Sequence, residues 1–534
     1  MTAMGRDPTY SKVKRSLDVH CLESTHSRTF SEVRSMCGIV GIYSHEPVAA
    51  ELYDSLIHLQ HRGQDACGIL TSDDRFYLKH GMGLVRESIS SDDIARLQGN
   101  IGIAHARYPT AGGYSESDVQ PLWIGSPRGI ALAHNGNLVN YDELVEDICG
   151  KQHRHLNSTL DSEALLLLLA DNLAKGSYSD DDEEQFFQLL CNSVNTIYKK
   201  VQGSYSVVSL VIGKGLVAFR DPHGIRPLVW GERLRADGTK DYIFASETTP
   251  FYALGFEPKG DLQAGEVAYV NNKGQLYRKI LTVKEFSPCI FEYVYFARPD
   301  ATLDDVSVYR ARLRMGQNLA KSWKERYPDV LPDVVIPAPS TANTAALSFA
   351  NELGIRYSEG LYKNPFIGRT FIMPNQESRS RQVRYKLTPQ KTEINKKKVM
   401  IVDDSIVRGT TSREIVKMVR EFGAEEIYFV STCPPIKNPC FYGIDIPSRK
   451  KLIAAHKTEE EIRQFLGVDK LLYQQPKDLV EAVTRRGKHH MSRPCMACMD
   501  GVYICGDITE EKINALEKKR LSESELQTEL GELS

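Results

Sequence analysis

In the stretch Val399–Arg413, VMIVDDSIVRGTTSR, four apolar residues run into two adjacent carboxylates, Asp403 and Asp404, and then a loop of Ser405, Ile406, Val407, Arg408, Gly409, Thr410 and Thr411. Hydroxyls, a guanidinium and free backbone N–H groups at a turn are what hold a phosphate. Paired carboxylates beside them can take a sugar's hydroxyls or the Mg²⁺ bound to them. To present these groups together, the chain must end a buried strand and begin a helix. Val399–Val402 reads as a parallel strand, Ile415, Val416, Met418, Val419 and Phe422 recur at helical spacing, and Gly423 supplies a stop before the apolar run Ile427–Val430. The stretch is thus the strand-to-helix switch of a βαβ unit, without the lysine or spacing of a nucleotide-binding Walker loop.

A second set lies toward the N-terminus. Cys37 directly follows Met36 and opens a glycine-containing strand. After it come Gln60-His61-Arg62-Gly63-Gln64-Asp65, His105-Ala106-Arg107-Tyr108-Pro109-Thr110 and His134-Asn135-Gly136-Asn137-Leu138. Asp161-Ser162-Glu163 then reads as the cap of the apolar helix Ala164–Leu173. Amide hydrolysis needs a nucleophile, a base, an oxyanion hole and partners for the substrate's α-amino and α-carboxylate groups, and these pieces supply such types. Singly, each has a plain reading: a lone strand cysteine is usually a buried thiol, and an aspartate pair before a turn is an ordinary junction. The ordered sets are what argue for chemistry.

Both sets resemble known families. The stretch around Asp403 is similar to the phosphoribosyl diphosphate (PRPP) motif of type I phosphoribosyltransferases. The N-terminal pieces resemble the class II, N-terminal nucleophile, glutamine amidotransferases over roughly residues 37–270. The second resemblance implies Cys37 as nucleophile, with its own α-amino group as base, and an oxyanion hole of the Asn135 side chain and the Gly136 N–H. It also implies Arg107 for the glutamine carboxylate, Asp161 for its ammonium, and Arg62 and Gly63 lining the same pocket. That mechanism requires Cys37 to be the first residue, so the expectation is translation from Met36 with its removal, a cleaved propeptide, or a gene-model error. Residues 1–36 are read as a disordered extension that is no secretory signal, and cytoplasmic residence follows as an expectation. His223, in Phe219–Leu228, is read as structural because the nucleophile carries its own base.

For the phosphoribosyltransferase half the resemblance implies PRPP binding by Asp403, Asp404, Ser405, Arg408, Gly409, Thr410 and Thr411. The strand and loop Asp333–Thr344 resemble that family's pyrophosphate loop, with Ser340 and Thr341 as contacts, although an acidic residue is usual where Ser340 stands. Mg²⁺ would be held through Thr341, Asp403 and Asp404. The cationic stretch Lys363–Lys391, with Gly368–Pro374 and Lys386, resembles the loop that closes over PRPP and shuts out water. Phe291–Asp300 and the helix around Tyr309–Arg312 fall where ammonia would pass between the halves.

The implied fold is an αββα sandwich over residues 37–275, then an α/β domain with a parallel sheet over 285–475, then a C-terminal segment over 476–534. With 534 residues, 25% charged residues and a net charge of −2, there is no electrostatic case for nucleic acid or an anionic membrane. Eleven cysteines are too few for a disulfide-stapled secreted fold of this length. Four of them, Cys289, Cys440, Cys495 and Cys498, include a CxxC pair. One branch of the amidotransferases carries a [4Fe–4S] cluster on cysteines at these places; zinc and reduced core thiols are the other readings of the residues themselves.

Together the two halves imply an enzyme that converts glutamine, PRPP and water to 5-phosphoribosylamine, glutamate and pyrophosphate, at the entry to purine synthesis. The same resemblance implies a homotetramer and feedback inhibition by purine nucleotides. Two other classes fit part of the chain. Another class II amidotransferase would share Cys37 and Asn135 but not Asp403–Thr411. A non-catalytic PRPP sensor would have no use for the Cys37 pocket.

Overall fold

A computed structural model of the protein describes residues 37–108, 118–151, 153–282, 284–364, 384, 386–484, 491 and 493–518. The expected extension 1–36, Pro109 and Thr110, the Gly368–Pro374 stretch and the end of the acidic tail lie outside the described residues.

In the N-terminal half, period-two alternation sends successive side chains to opposite faces, and both faces are buried. In the strand Gly38–Tyr43, Val40 and Ile42 join a core under the helix Ala49–Leu59, while Ile39 and Tyr43 face a second sheet. In Gly203–Val211, Val208 and Leu210 meet them from that sheet, while Tyr205, Val207 and Val211 pack under the helices Asp161–Ala174 and Glu183–Lys200. The result is a seven-stranded and a six-stranded sheet, face to face and covered by helices on both outer sides. This is the αββα sandwich. Its last strand, Leu276–Ile280, pairs with Glu266–Asn271, so the sheet runs on past residue 275.

The second half is built on a four-stranded sheet of Val334–Pro337, Lys398–Asp403, Glu426–Ser431 and Lys470–Tyr473, every pair parallel. Val399 and Ile401 point to the face covered by the helix Thr410–Glu421; Met400 and Val402 point to the face covered by Val308–Arg326 and Asn343–Leu353. A strand buried on both sides has no polar positions, hence the unbroken apolar run. Each of these side chains contributes roughly 1.5–3 kcal/mol of burial, which anchors the loop that follows. The helix Pro476–Val483 belongs to this half, because Asn318 Nδ2 donates to the Asp478 carbonyl at 2.9 Å. Among the described residues no helix is long and apolar enough to cross a membrane.

Candidate functional site

Cys37 stands at the head of the central strand of the first sheet, beside Arg107 at the end of Ile101–Arg107. Its Sγ lies 3.6 Å from the Tyr108 carbonyl. Burial pushes the thiol up to about 12, with Arg107 and Arg62 pulling it down and Asp161 pushing it further up. Charges distant in the sequence are therefore felt at one sulfur. A thiol so held is protonated at neutral pH and needs a base before it can attack.

Asn135 and Gly136 come from the second sheet, on the strand Ile130–Leu138. Asn135 is buried, and its Nδ2 has no hydrogen-bond partner among the described residues. A buried donor left unpaired is costly unless a ligand completes it. Gly136 has φ +154°, and a Cβ there would come within 2.0 Å of the Ser204 carbonyl oxygen, so no side chain fits. Gly63 is similarly confined against the Ala106 carbonyl.

Asp161 departs from the sequence expectation. It is the first residue of its helix rather than a cap, and no side chain caps that helix. Its Oδ2 accepts from the Leu138 N–H at 2.9 Å, and its Oδ1 lies 3.6 Å from His134 Nδ1. The carboxylate is thus turned toward the end of the Asn135 strand. His134 and Glu163, which folds the preceding loop by accepting from the Asn157 and Ser158 N–H groups, support that placement.

Arg62 also departs. It does not line an open pocket: its guanidinium is buried and committed to Glu247, to Glu292 at 2.7 Å and to the Cys37 carbonyl at 3.3 Å. Burial alone would raise Glu247, but His61 and Arg62 hold it at about 2. Arg312 continues the set across the junction, donating to the carbonyls of Tyr293, Tyr295 and Ala297 around the π-helical turn Glu292–Phe296. Burial draws Arg312 down to about 10 while Asp404 and Glu247 pull it up, so it feels both halves. Glu247 carried no sequence signal, and Glu292 and Arg312, although inside the stretches placed near the ammonia passage, carried none for these contacts, because each acts through partners remote in the chain.

This network predicts an acid response. Glu247 is held below its ordinary value of 4.5, so its contribution is present above that pH and is lost as pH falls from 4.5 toward 2. Glu247→Gln is expected to lose stability at pH 7, because Arg62 is left buried without its full complement of charge, and to flatten stability against pH below 4.5. Denaturant unfolding across that range reads both effects, and an unchanged slope would refute the assignment.

In the second half, the strand Lys398–Asp403 ends in the carboxylate pair and Gly409, at φ +74°, starts the helix Thr410–Glu421. Asp404 is buried and accepts from Ser405 Oγ at 2.8 Å and from Thr341 Oγ1, which joins the pyrophosphate-type loop to the PRPP-type loop. Thr432 Oγ1 donates to the Asp404 carbonyl at 3.2 Å, while Ser412 Oγ is 3.5 Å from Asp403 Oδ2. The Pro339–Ser340 peptide is cis, and Ser340 is exposed. Arg408 lies half-buried in the loop; in the first turn of the helix Thr411 is half-buried and Thr410 exposed. Lys386 is half-buried where Leu361–Lys363 and Leu387–Pro389 pair, its carbonyl accepting from the Asn364 N–H at 2.9 Å.

Among the described residues no three His, Cys, Asp or Glu side chains are placed to hold a metal ion by themselves. Two hard carboxylates and a hydroxyl nevertheless match Mg²⁺, which keeps few protein ligands and completes its shell with substrate oxygens and water. The four cysteines are drawn together from three parts of the chain. Cys289 and Cys495 face each other across a parallel bridge, the Cys495 N–H donates to Pro288, and the Cys498 carbonyl accepts from Lys437 and Asn438. Burial and the neighbouring thiols push Cys495 and Cys498 well above the ordinary thiol value, and the buried Arg226 lies in the field of Cys289 and Cys440. Thiols are soft donors, but among the described residues no three of these cysteines are placed to hold a single metal ion.

A family profile described as a glutamine amidotransferase domain matches residues 105–253. The amidophosphoribosyltransferase of Pseudomonas aeruginosa is 46% identical over 487 residues, covering 91% of this chain and 96% of the relative. That of Saccharomyces cerevisiae is 45% identical over 498 residues, with the same two coverages of 91% and 96%. Among solved structures, the glutamine PRPP amidotransferase of B. subtilis, complexed with ADP and GMP, superposes with a TM-score of 0.77 at 34% identity, covering 89% of this chain and 98% of that one. A structure described as the allosteric regulatory enzyme of purine biosynthesis gives 0.78 at the same identity.

Proposed function

From the premise that the chain belongs to the amidophosphoribosyltransferase family, we propose how its residues carry that family's reaction. It is a glutamine-dependent pentosyltransferase: glutamine, PRPP and water become 5-phosphoribosylamine, glutamate and pyrophosphate, the first committed step of purine synthesis, with ammonia channelled between the sites. The relatives span both halves of the chain. Another class II amidotransferase or a mere PRPP sensor therefore does not describe it.

In the first half, the α-amino group of Cys37, freed once the chain begins there, takes the thiol proton. The thiolate attacks the glutamine carboxamide carbon, and the oxyanion is received by Asn135 Nδ2 and the Gly136 N–H. Arg107 pairs with the substrate carboxylate and Asp161 with its ammonium. The ammonium of Cys37 returns the proton to the departing nitrogen, and ammonia leaves a glutamyl thioester. Water then cleaves that thioester to glutamate and the free thiol. The buried Asn135 donor, without a partner among the described residues, supports this assignment, as does the opposed pull of Arg107 and Asp161 on the thiol. Arg62 serves by holding the Cys37 carbonyl rather than the substrate.

In the second half, Ser405, Arg408, Gly409, Thr410 and Thr411 cradle the 5-phosphate of PRPP, and Asp403 and Asp404 take the ribose hydroxyls. Ser340, Thr341 and Lys386 face the pyrophosphate. Mg²⁺, bound with Thr341, Asp403 and Asp404, would supply charge neutralisation to the leaving group. Ammonia displaces pyrophosphate from C1 through an oxocarbenium-like transition state that asks for positioning more than acid–base help. The largely buried turn Glu292–Phe296 would border the passage for ammonia between the halves.

Cys289, Cys440, Cys495 and Cys498 are assigned to a [4Fe–4S] cluster that ties the C-terminal segment to both domains; iron and sulfide analysis of anaerobically purified protein tests it against zinc. The homotetramer, inhibition by purine nucleotides and a cytoplasmic location are proposed on the same family grounds, the relative bound to ADP and GMP supporting the second. The carrying observation is that the Cys37 pocket and the Asp403–Asp404 loop flank one buried network, Arg62 to Arg312. The test is glutamate release by protein starting at Met36, with and without PRPP and Mg²⁺. Stimulation by PRPP with matching pyrophosphate release is expected. Glutamate release indifferent to PRPP, without pyrophosphate, would sink the coupled reading.

A further inference from the structure

The strand that carries Asn135 and Gly136 is met by the segment Cys440–Gly443, some three hundred residues away in sequence, which is joined to it at two points and to its paired strand at a third. Asn137 Nδ2 donates to the Phe441 carbonyl at 3.0 Å. Ser204 Oγ, on the paired strand, donates to the Tyr442 carbonyl at 2.9 Å within the core. Between these bonds two glycines touch: a Cβ on Gly443, at φ +94°, would lie 2.9 Å from the carbonyl carbon and oxygen of Gly136 and 3.1 Å from its Cα. The Tyr442 hydroxyl continues the clamp by donating to the Cys505 carbonyl at 2.7 Å, and Cys505 Sγ reaches the Gly203 carbonyl at 3.5 Å. Gly203 is the register partner of Leu138.

We propose that Gly443, with Asn137, is a positioning element for the glutaminase site: the Cys440–Gly443 segment is a strut that bears on the Cα and carbonyl of Gly136 and so sets the residue whose N–H meets the oxyanion. This rests on Asn135 and Gly136 being the oxyanion donors. The physical reason is that the Gly136 peptide has backbone on both sides. The Ser204 carbonyl closes on the Cβ direction of Gly136 and Gly443 closes on its Cα and carbonyl, so the Cα to which the Gly136 N–H is attached through its nitrogen is held both from its own sheet and from the second domain. An oxyanion donor works only when aimed at the position the charge will occupy, and small displacements are expensive in rate. The strut also starts at Cys440, whose Sγ accepts from the Tyr442 N–H at 3.2 Å, so the thiol-bearing region and the glutaminase site share one segment.

The test compares two nitrogen sources on the full-length enzyme matured to Cys37. Glutamine-driven synthesis needs the oxyanion hole, whereas free ammonia supplied at high pH enters after it. Gly443→Ala is expected to lower kcat with glutamine by about 10–100-fold, with the KM for glutamine and the ammonia-driven rate within about twofold. Asn137→Ala, which removes one hydrogen bond and adds no bulk, is expected to lower the same kcat by about 3–10-fold. Asn135→Ala controls the underlying reading. If it leaves kcat with glutamine intact, the oxyanion assignment fails, and the proposal with it. If it collapses kcat while Gly443→Ala and Asn137→Ala do not, the assignment stands and the strut is refuted. Should Gly443→Ala lose both activities, Asn137→Ala decides: selective loss with glutamine supports the strut, and equal loss of both overturns it.

Discussion

Cys37→Ser is expected to abolish phosphoribosylamine synthesis from glutamine, by about a thousandfold or more, while synthesis from free ammonia stays within about twofold. The serine hydroxyl fits the space of the thiol, so packing changes little. Its proton is far harder to remove, and an α-amino group that titrates near ~8 cannot do so. The native thiol is already raised to about 12 by burial, which makes the base and the nearby Arg107 indispensable. The ammonia-driven rate is the decisive control, since the second half receives its nitrogen without the first. Retention of a tenth or more of the glutamine-driven rate would remove Cys37 as nucleophile.

Asp404→Asn is expected to have the complementary effect. Pyrophosphate release should fall about 10²–10³-fold with either nitrogen source, while glutamate release in the absence of PRPP stays within about twofold. The amide keeps the shape but removes the charge that receives Thr341 and Ser405 and that Arg312 feels across the junction. Mg²⁺ dependence supplies the second readout, because the variant should need far more Mg²⁺ to reach half its residual rate. Normal pyrophosphate release coupled to lost glutaminase would show that Asp404 serves the junction and not PRPP. Taken together, the two variants should separate the half-reactions, each leaving the other's chemistry running.

Much of this was legible along the chain because the chemistry is local. The apolar run into Asp403 and Asp404, the hydroxyls after them and the helical spacing beyond are all decided within about fifteen residues, where strand burial and helix initiation operate. The pieces around Cys37, Arg107, Asn135 and Asp161 were readable as an ordered set, though not their contacts. Asp161 looked like a cap because acidic residues before an apolar helix usually cap it; the fold instead turned its carboxylate to the Leu138 N–H, a partner no helix pattern contains.

What the sequence determined by itself was the presence of the two chemistries and the order of the domains that carry them, since each depends on residue types at short spacing. The tertiary structure alone decided how the two are joined. Arg62 became a tie between Cys37 and the Glu247–Glu292 pair, the sheet ran past residue 275, and Gly443 came to rest on Gly136. Those contacts lie across separations that leave no periodicity, and a buried charge or a missing side chain acquires meaning only when its neighbours are known.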